Sequence, residues 1–217
     1  MLSAVAAATM LTHILYSFVT LFVIIDPVGS AVIFAGLTRG MPDHMRRQAG
    51  LRGVLVASAL ILGFALGGAW LLAALGITLP AFRIAGGILL FLLATEMVFA
   101  RQSGIRGPTA LEEQEAEERN DVSIFPLAFP LLAGPGALTS IVLLMERAAP
   151  LAALGVVIAL AAVMAITLAL LLAAPRVMQL VGVTGANVVS RVLGVVLAAL
   201  AAQFVLDGIV EGWASRG

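Results

Sequence analysis

The sequence predicts an all-α polytopic membrane protein with six transmembrane helices, arranged as two inverted three-helix repeats in which helices one and four are broken. Three observations point there. Of the 217 residues, 62% are hydrophobic and only 11% charged, whereas a soluble domain carries about 25% charged residues. Apolar stretches long enough to cross a hydrocarbon core about 30 Å thick recur at 11–38, 53–76, 82–100, 122–146, 151–174 and 188–210. Finally, the chain matches itself without gaps when shifted by 108 residues.

The first apolar block is long. From Met1 to Leu37 only His13 and Asp26 carry a group that is charged near neutral pH. The leading segment lacks the basic region of a cleaved signal peptide. It is expected to extend span one at the interface or in the periplasm, with a re-entrant hairpin inside the block as the alternative. Span two follows the polar separator Arg39–Arg52, and span three the turn Gly76–Pro80. The run EEQEAEERND at 112–121 reads as a solvated acidic loop between spans three and four. Spans four and five meet at Arg147–Pro150, and Arg176–Asn187 separates five from six. The chain is therefore one transmembrane domain, 1–217, with repeat one at 11–100, repeat two at 122–210 and the acidic loop 101–121 between them.

Arginine counting sets the expected orientation. Arg39, Arg46, Arg47, Arg52, Arg101, Arg106, Arg119, Arg176 and Arg191 fall on one side, against Arg83, Arg147 and Arg216 on the other. The first side is expected to be cytoplasmic and both termini outside. Multi-pass insertion in a bacterial or archaeal cytoplasmic membrane is the expected location.

The shift of 108 places Pro27 on Pro135, Arg39 on Arg147, Pro42 on Pro150, Arg83 on Arg191 and Gly86 on Gly194. Such coincidences among rare residues mark an internal repeat. Each copy holds three spans, and an odd number inserts the second copy upside down. In such folds the substrate site lies near the bilayer midplane where the copies meet.

The corresponding places in spans one and four hold the unusual residues. Pro27 and Pro135 lie well inside their spans, loosened by Gly29, Gly134 and Gly136, with Pro126 and Pro130 bending the first half of span four. Backbone breaks at membrane depth are tolerated only inside protein or beside a water-filled cavity. Asp26-Pro27 has the composition of a helix start, and Gly134-Pro135 resembles it. Free N–H groups there favour an anion, and vacated carbonyls a cation, so the two breaks together suit a zwitterion. The site candidates are Asp26, Pro27, Gly29, Ser30, Gly134, Pro135, Gly136, Thr139 and Ser140. For Asp26 the competing reading is a simple helix cap. For Thr139 and Ser140 it is a bond to their own helix backbone. Thr20 and Asn187 are weaker candidates of the same kind. Glu96 and Asp207 are expected to snorkel to an interface, and Thr95 and Gln203 occupy matching repeat positions.

At these residues the sequence resembles a family. DPVGSAVIFAGLT after FVTLFVII, with PLAFPLLAGPGALTSIV, is similar to the MarC family of six-span inner-membrane proteins, grouped with neutral amino acid transporters of the SnatA type. The resemblance covers essentially the whole chain. It departs mildly where the family's first motif has a second Pro and this chain has Ala31 or Val32. It implies a secondary transporter of small neutral amino acids, glycine- or alanine-like, working by alternating access around the two breaks. Proton or sodium coupling stays open, as does a homo-oligomer. A passive small-solute pore and a non-transporting scaffold are the alternatives.

Other classes fit poorly. Zero net charge gives no argument for nucleic acid. The absence of Cys excludes disulfides and thiol chemistry. No HExxH, GxSxG or P-loop lysine occurs, so no enzyme activity, metal or cofactor is expected. The expected partners are the lipid bilayer and the substrate.

Overall fold

The computed structural model describes residues 2–99, 122–146 and 148–214, and the predicted acidic loop 101–121 lies outside them. The described residues form eight α-helices and one segment of wide turns. The helices are α1 (Leu2–Ile25), α2 (Pro27–Leu37), α3 (Asp43–Ala74), α4 (Leu79–Phe99), α5 (Pro135–Glu146), α6 (Pro150–Leu172), α7 (Ala174–Leu180) and α8 (Gly182–Ala214). The wide-turn segment is Ser123–Leu132. Five helical stretches are long and apolar enough to cross a membrane, and six if Ser123–Leu132 and α5 together form one bent span.

Span one is helical from Leu2, so the leading residues continue it. The chain does not double back at Asp26, because Met10–Leu37 qualifies as a single span. Two predicted separators turn out helical. The segment 39–52 becomes helix from Asp43, making α3 32 residues long, or about 48 Å. Residues 176–187 lie in α7 and α8, interrupted only near Gly182, whose φ of +65° suits glycine. Polarity marks where a chain leaves hydrocarbon, but a helix that already bonds its own backbone can run past that point. Arg46 and Asp43, paired at 2.8 Å, lie on that extension.

The turn predicted at Gly76–Pro80 is present, with Gly76 at φ +68°. Ser123–Leu132 follows from its two prolines. The residue before a proline is pushed out of the helical region, and Phe125 and Phe129 are accordingly extended at φ/ψ of −127°/130° and −133°/131°. The peptide bonds Phe125–Pro126 and Phe129–Pro130 are cis. The remaining turns close over five residues, with Leu127 N–H donating to the Val122 carbonyl and Ala133 N–H to that of Ala128. The axis then bends by 56° into α5.

Packing is reciprocal between the halves. α1 and α2 lie against α6, while Ser123–Leu132 and α5 lie against α3. The most extensive contact joins α4 to α8. These run antiparallel: Gly208 faces Pro80 and Ile84, Gly87 faces Ala201 and Val205, and Gly194 faces Met97 and Val98. A Cβ on Gly87 would stand 2.8 Å from the Ala201 carbonyl oxygen, so only glycine allows this approach.

Candidate functional site

Both predicted breaks exist, and each restarts a helix on its proline. α2 begins at Pro27 and α5 at Pro135, positions that the shift of 108 superposes. Proline at the first helical position lacks only an N–H that would be unpaired anyway.

At the first break Asp26 adopts a left-handed conformation, φ 47° and ψ 70°. Aspartate tolerates it better than most residues. The residue is buried, 2% exposed. Oδ1 accepts the Gly29 N–H at 3.1 Å, capping α2. Oδ2 accepts the Ser190 hydroxyl at 3.0 Å, reaching from the first half of the chain to α8. Ser30, fully buried, donates its hydroxyl to the Ile25 carbonyl at 3.0 Å. The carbonyl expected to lie open for a cation is thus covered by Ser30.

The second break is built differently. Gly134 offers no side chain to cap α5, and the first intrahelical bond runs from the Leu138 N–H to the Gly134 carbonyl at 3.1 Å. The N–H groups of Gly136 and Ala137 precede that bond and have no intrahelical acceptor. Gly134, Pro135, Gly136 and Ala137 line a small apolar cleft with Ile24, two residues from Asp26. The end of α1, just before the first break, therefore touches the second. The cleft holds about 10 Å³, room for about one water molecule. The cleft is narrow at the break.

Thr139 donates to the Pro135 carbonyl at 2.9 Å, so its hydroxyl serves its own helix. Its methyl faces Gly86, where any Cβ would collide with it. Ser140 is fully buried, and its hydroxyl has no hydrogen-bond partner among the described residues. Of the nine predicted residues, the structure gathers Asp26, Pro27, Gly29 and Ser30 at one break and Gly134, Pro135, Gly136, Thr139 and Ser140 at the other. Gln203 donates to Asp207 at 2.7 Å on α8, away from both.

Sequence reasoning missed Ser190, whose link to Asp26 spans 164 positions. It also missed the ion pair between Arg83 and Glu211. Arg83, counted above with the exterior, lies within α4 and its side chain is 3% exposed, against 40% for Glu211. The signal available was a lone acid in the last turn of an apolar helix. The pair joins the start of α4 to the end of α8. Removing its two members is expected to have unequal cost. Arg83→Met leaves a carboxylate that water can reach, for a loss below about 1 kcal/mol. Glu211→Ala strands a buried guanidinium, which costs about 1–3 kcal/mol. Thermal unfolding in detergent is the check, and the reverse ranking would contradict this account.

Among known proteins, the model of the family described as "MarC family integral membrane protein" matches residues 11–213. A UPF0056 membrane protein of Methanocaldococcus jannaschii is 36% identical over 200 residues, covering 92% of this chain and 97% of the relative. Another, YhcE of Escherichia coli, is 34% identical over 197 residues, 88% of this chain and 89% of the relative. YvbG of Bacillus subtilis is 28% identical over 204 residues, 92% and 95% of the two chains. No solved structure matches.

Proposed function

The chain belongs to the MarC family of integral membrane proteins, and on that premise we propose that it is a secondary transporter of small neutral amino acids, with its substrate held between the two helix breaks. The observation that carries this reading is the contrast between the two helix starts. At Pro27 the N-terminal N–H of Gly29 is already taken by Asp26, so that break presents a carboxylate. At Pro135 the cap residue is glycine, so that break presents bare N–H groups. A zwitterion fits the pair: its carboxylate on the N–H groups of Gly136 and Ala137, its ammonium toward Asp26. The narrow, one-water cleft has to widen to admit even a small occupant, as alternating access requires.

The proposed architecture is two inverted three-helix copies. The antiparallel packing of α4 on α8 and the reciprocal packing of the other helices support it. The proposed setting is the cytoplasmic membrane of a bacterium or archaeon, both termini outside, without enzymatic activity or a resident cofactor. The test is uptake of labelled glycine or alanine into proteoliposomes, with and without a proton or sodium gradient. Gradient-driven accumulation is expected. Equilibration that ignores every gradient would point to a pore, and no uptake of any small amino acid would overturn the proposal.

Ser140 provides a sharper check. A buried hydroxyl without a partner lowers stability, so Ser140→Ala should leave the unfolding midpoint unchanged or raised. If the hydroxyl serves the substrate, KM for uptake should rise about fivefold, the worth of a hydrogen bond of about 1 kcal/mol. A lowered midpoint with unchanged KM would remove Ser140 from the site.

A further inference from the structure

Among the described residues, Asp26 is the one residue other than glycine with positive φ. Such a backbone persists only where its surroundings hold it, and it gathers at switch regions. Here the holding contacts come from two directions. Oδ1 takes the Gly29 N–H within the same break. Oδ2 takes the hydroxyl of Ser190, which belongs to α8 and so to another packing unit. α8 is fixed to α4 through close glycine approaches, whereas α1 and α2 lie chiefly along α6. The Asp26–Ser190 bond crosses from one unit to the other. Gly29 lets the two sides come this near, because a Cβ there would stand 2.8 Å from the Ser190 oxygen.

Ile25, Asp26, Pro27 and Ser30 are buried, while Gly29 and Ser190 are half-buried. The bond to Ser190 therefore lies at the edge of the buried break, where one donor can be exchanged for another. A hydroxyl is a neutral donor. An ammonium group on the same oxygen makes a bond charged on both sides, which is shorter and stronger where water is scarce. While Ser190 holds Oδ2, the carboxylate is drawn toward α8.

We propose that Ser190 is a positioning residue for substrate binding: it latches Asp26 to α8 before substrate binds, and the substrate's ammonium group displaces it. The proposal rests on the amino acid reading above. Displacement frees the strained break from the α4–α8 pair when substrate arrives, so occupancy biases movement between the two units. A static pin would only hold α2 in place.

The two roles differ in the sign of the change in KM. Ser190→Ala removes the competitor, so a larger fraction of molecules offers a free carboxylate and apparent affinity rises. KM for glycine uptake into proteoliposomes is expected to fall about fivefold or more, the weight of one hydrogen bond. The unfolding midpoint should fall as well. Ser190→Thr keeps the hydroxyl and should bring KM back toward the parent value. A lowered midpoint with KM unchanged or raised in Ser190→Ala would overturn the proposal.

A second measurement needs no substrate. The chain has no Cys, so Val28→Cys, half-buried beside the break, is a single reporter. Adding Ser190→Ala should speed its reaction with a maleimide about fivefold or more, as the break opens more often. An unchanged rate would overturn the latch whatever the protein carries. A faster rate in a protein that takes up no small amino acid would keep the latch and remove the amino acid as what releases it.

Discussion

Asp26→Asn is expected to insert and fold like the parent chain but to lose amino acid uptake by about tenfold or more, the loss of a charge-assisted contact worth about 1.5–3 kcal/mol. The reason lies in how many tasks the carboxylate performs. Oδ1 caps α2 through Gly29 N–H, Oδ2 holds Ser190, and the backbone occupies the left-handed region at φ 47°. Asparagine tolerates that backbone and keeps an acceptor oxygen for the cap, so structure survives while the charge disappears. Asp26→Leu removes the cap as well, for about 0.5–2 kcal/mol, and meets a left-handed cost of about 1–2 kcal/mol. It should lower the unfolding midpoint as well as uptake. Asp26→Gly also loses the cap and the Ser190 bond but relieves the backbone, so it should be less destabilised than Asp26→Leu and equally inactive. Proteoliposome uptake beside thermal unfolding for all three reads this out. Wild-type uptake by Asp26→Asn would reduce Asp26 to a helix cap.

Gly29→Val is expected to abolish uptake and to destabilise by about 1–3 kcal/mol, the usual penalty for overpacking. A Cβ on Gly29 collides with the Asp26 carboxylate and stands 2.8 Å from the Ser190 hydroxyl. Neither can retreat without breaking the bond between them. A glycine-to-valine change beside the second break, Gly136→Val, should be milder. A Cβ on Gly136 stands 2.6 Å from a Leu90 methyl, the far end of a flexible side chain. From sequence alone the two substitutions look equal, each a glycine one turn or less beyond a break. The measurement is uptake and unfolding for both, and an equal or greater stability loss in Gly136→Val would refute the ranking.

What was legible in the sequence was what a single residue dictates locally. Pro27 and Pro135 start helices because the ring forbids continuation from the preceding turn and suits a first turn. Phe125 and Phe129 are extended because each precedes a proline. The buried Asp26 stood out because charge is scarce. What was not legible depends on distant parts of the chain meeting. Ser190 looks like any small polar residue until α8 is laid against α2. Arg83 looks like a loop arginine until Glu211 arrives from the far end of the chain. The ends of α3 and α8 were misplaced for another reason. Hydropathy reports the edge of the bilayer, and these helices of 32 and 33 residues cross it without ending.

The Ser30 hydroxyl has a consequence for how the first break can change its chemistry. It covers the Ile25 carbonyl through one rotatable bond, and a hydroxyl turns about that bond without disturbing the chain. On the proposed function, the Ile25 carbonyl would be handed from Ser30 to the substrate's ammonium group by rotation of one hydroxyl, with no helix movement required.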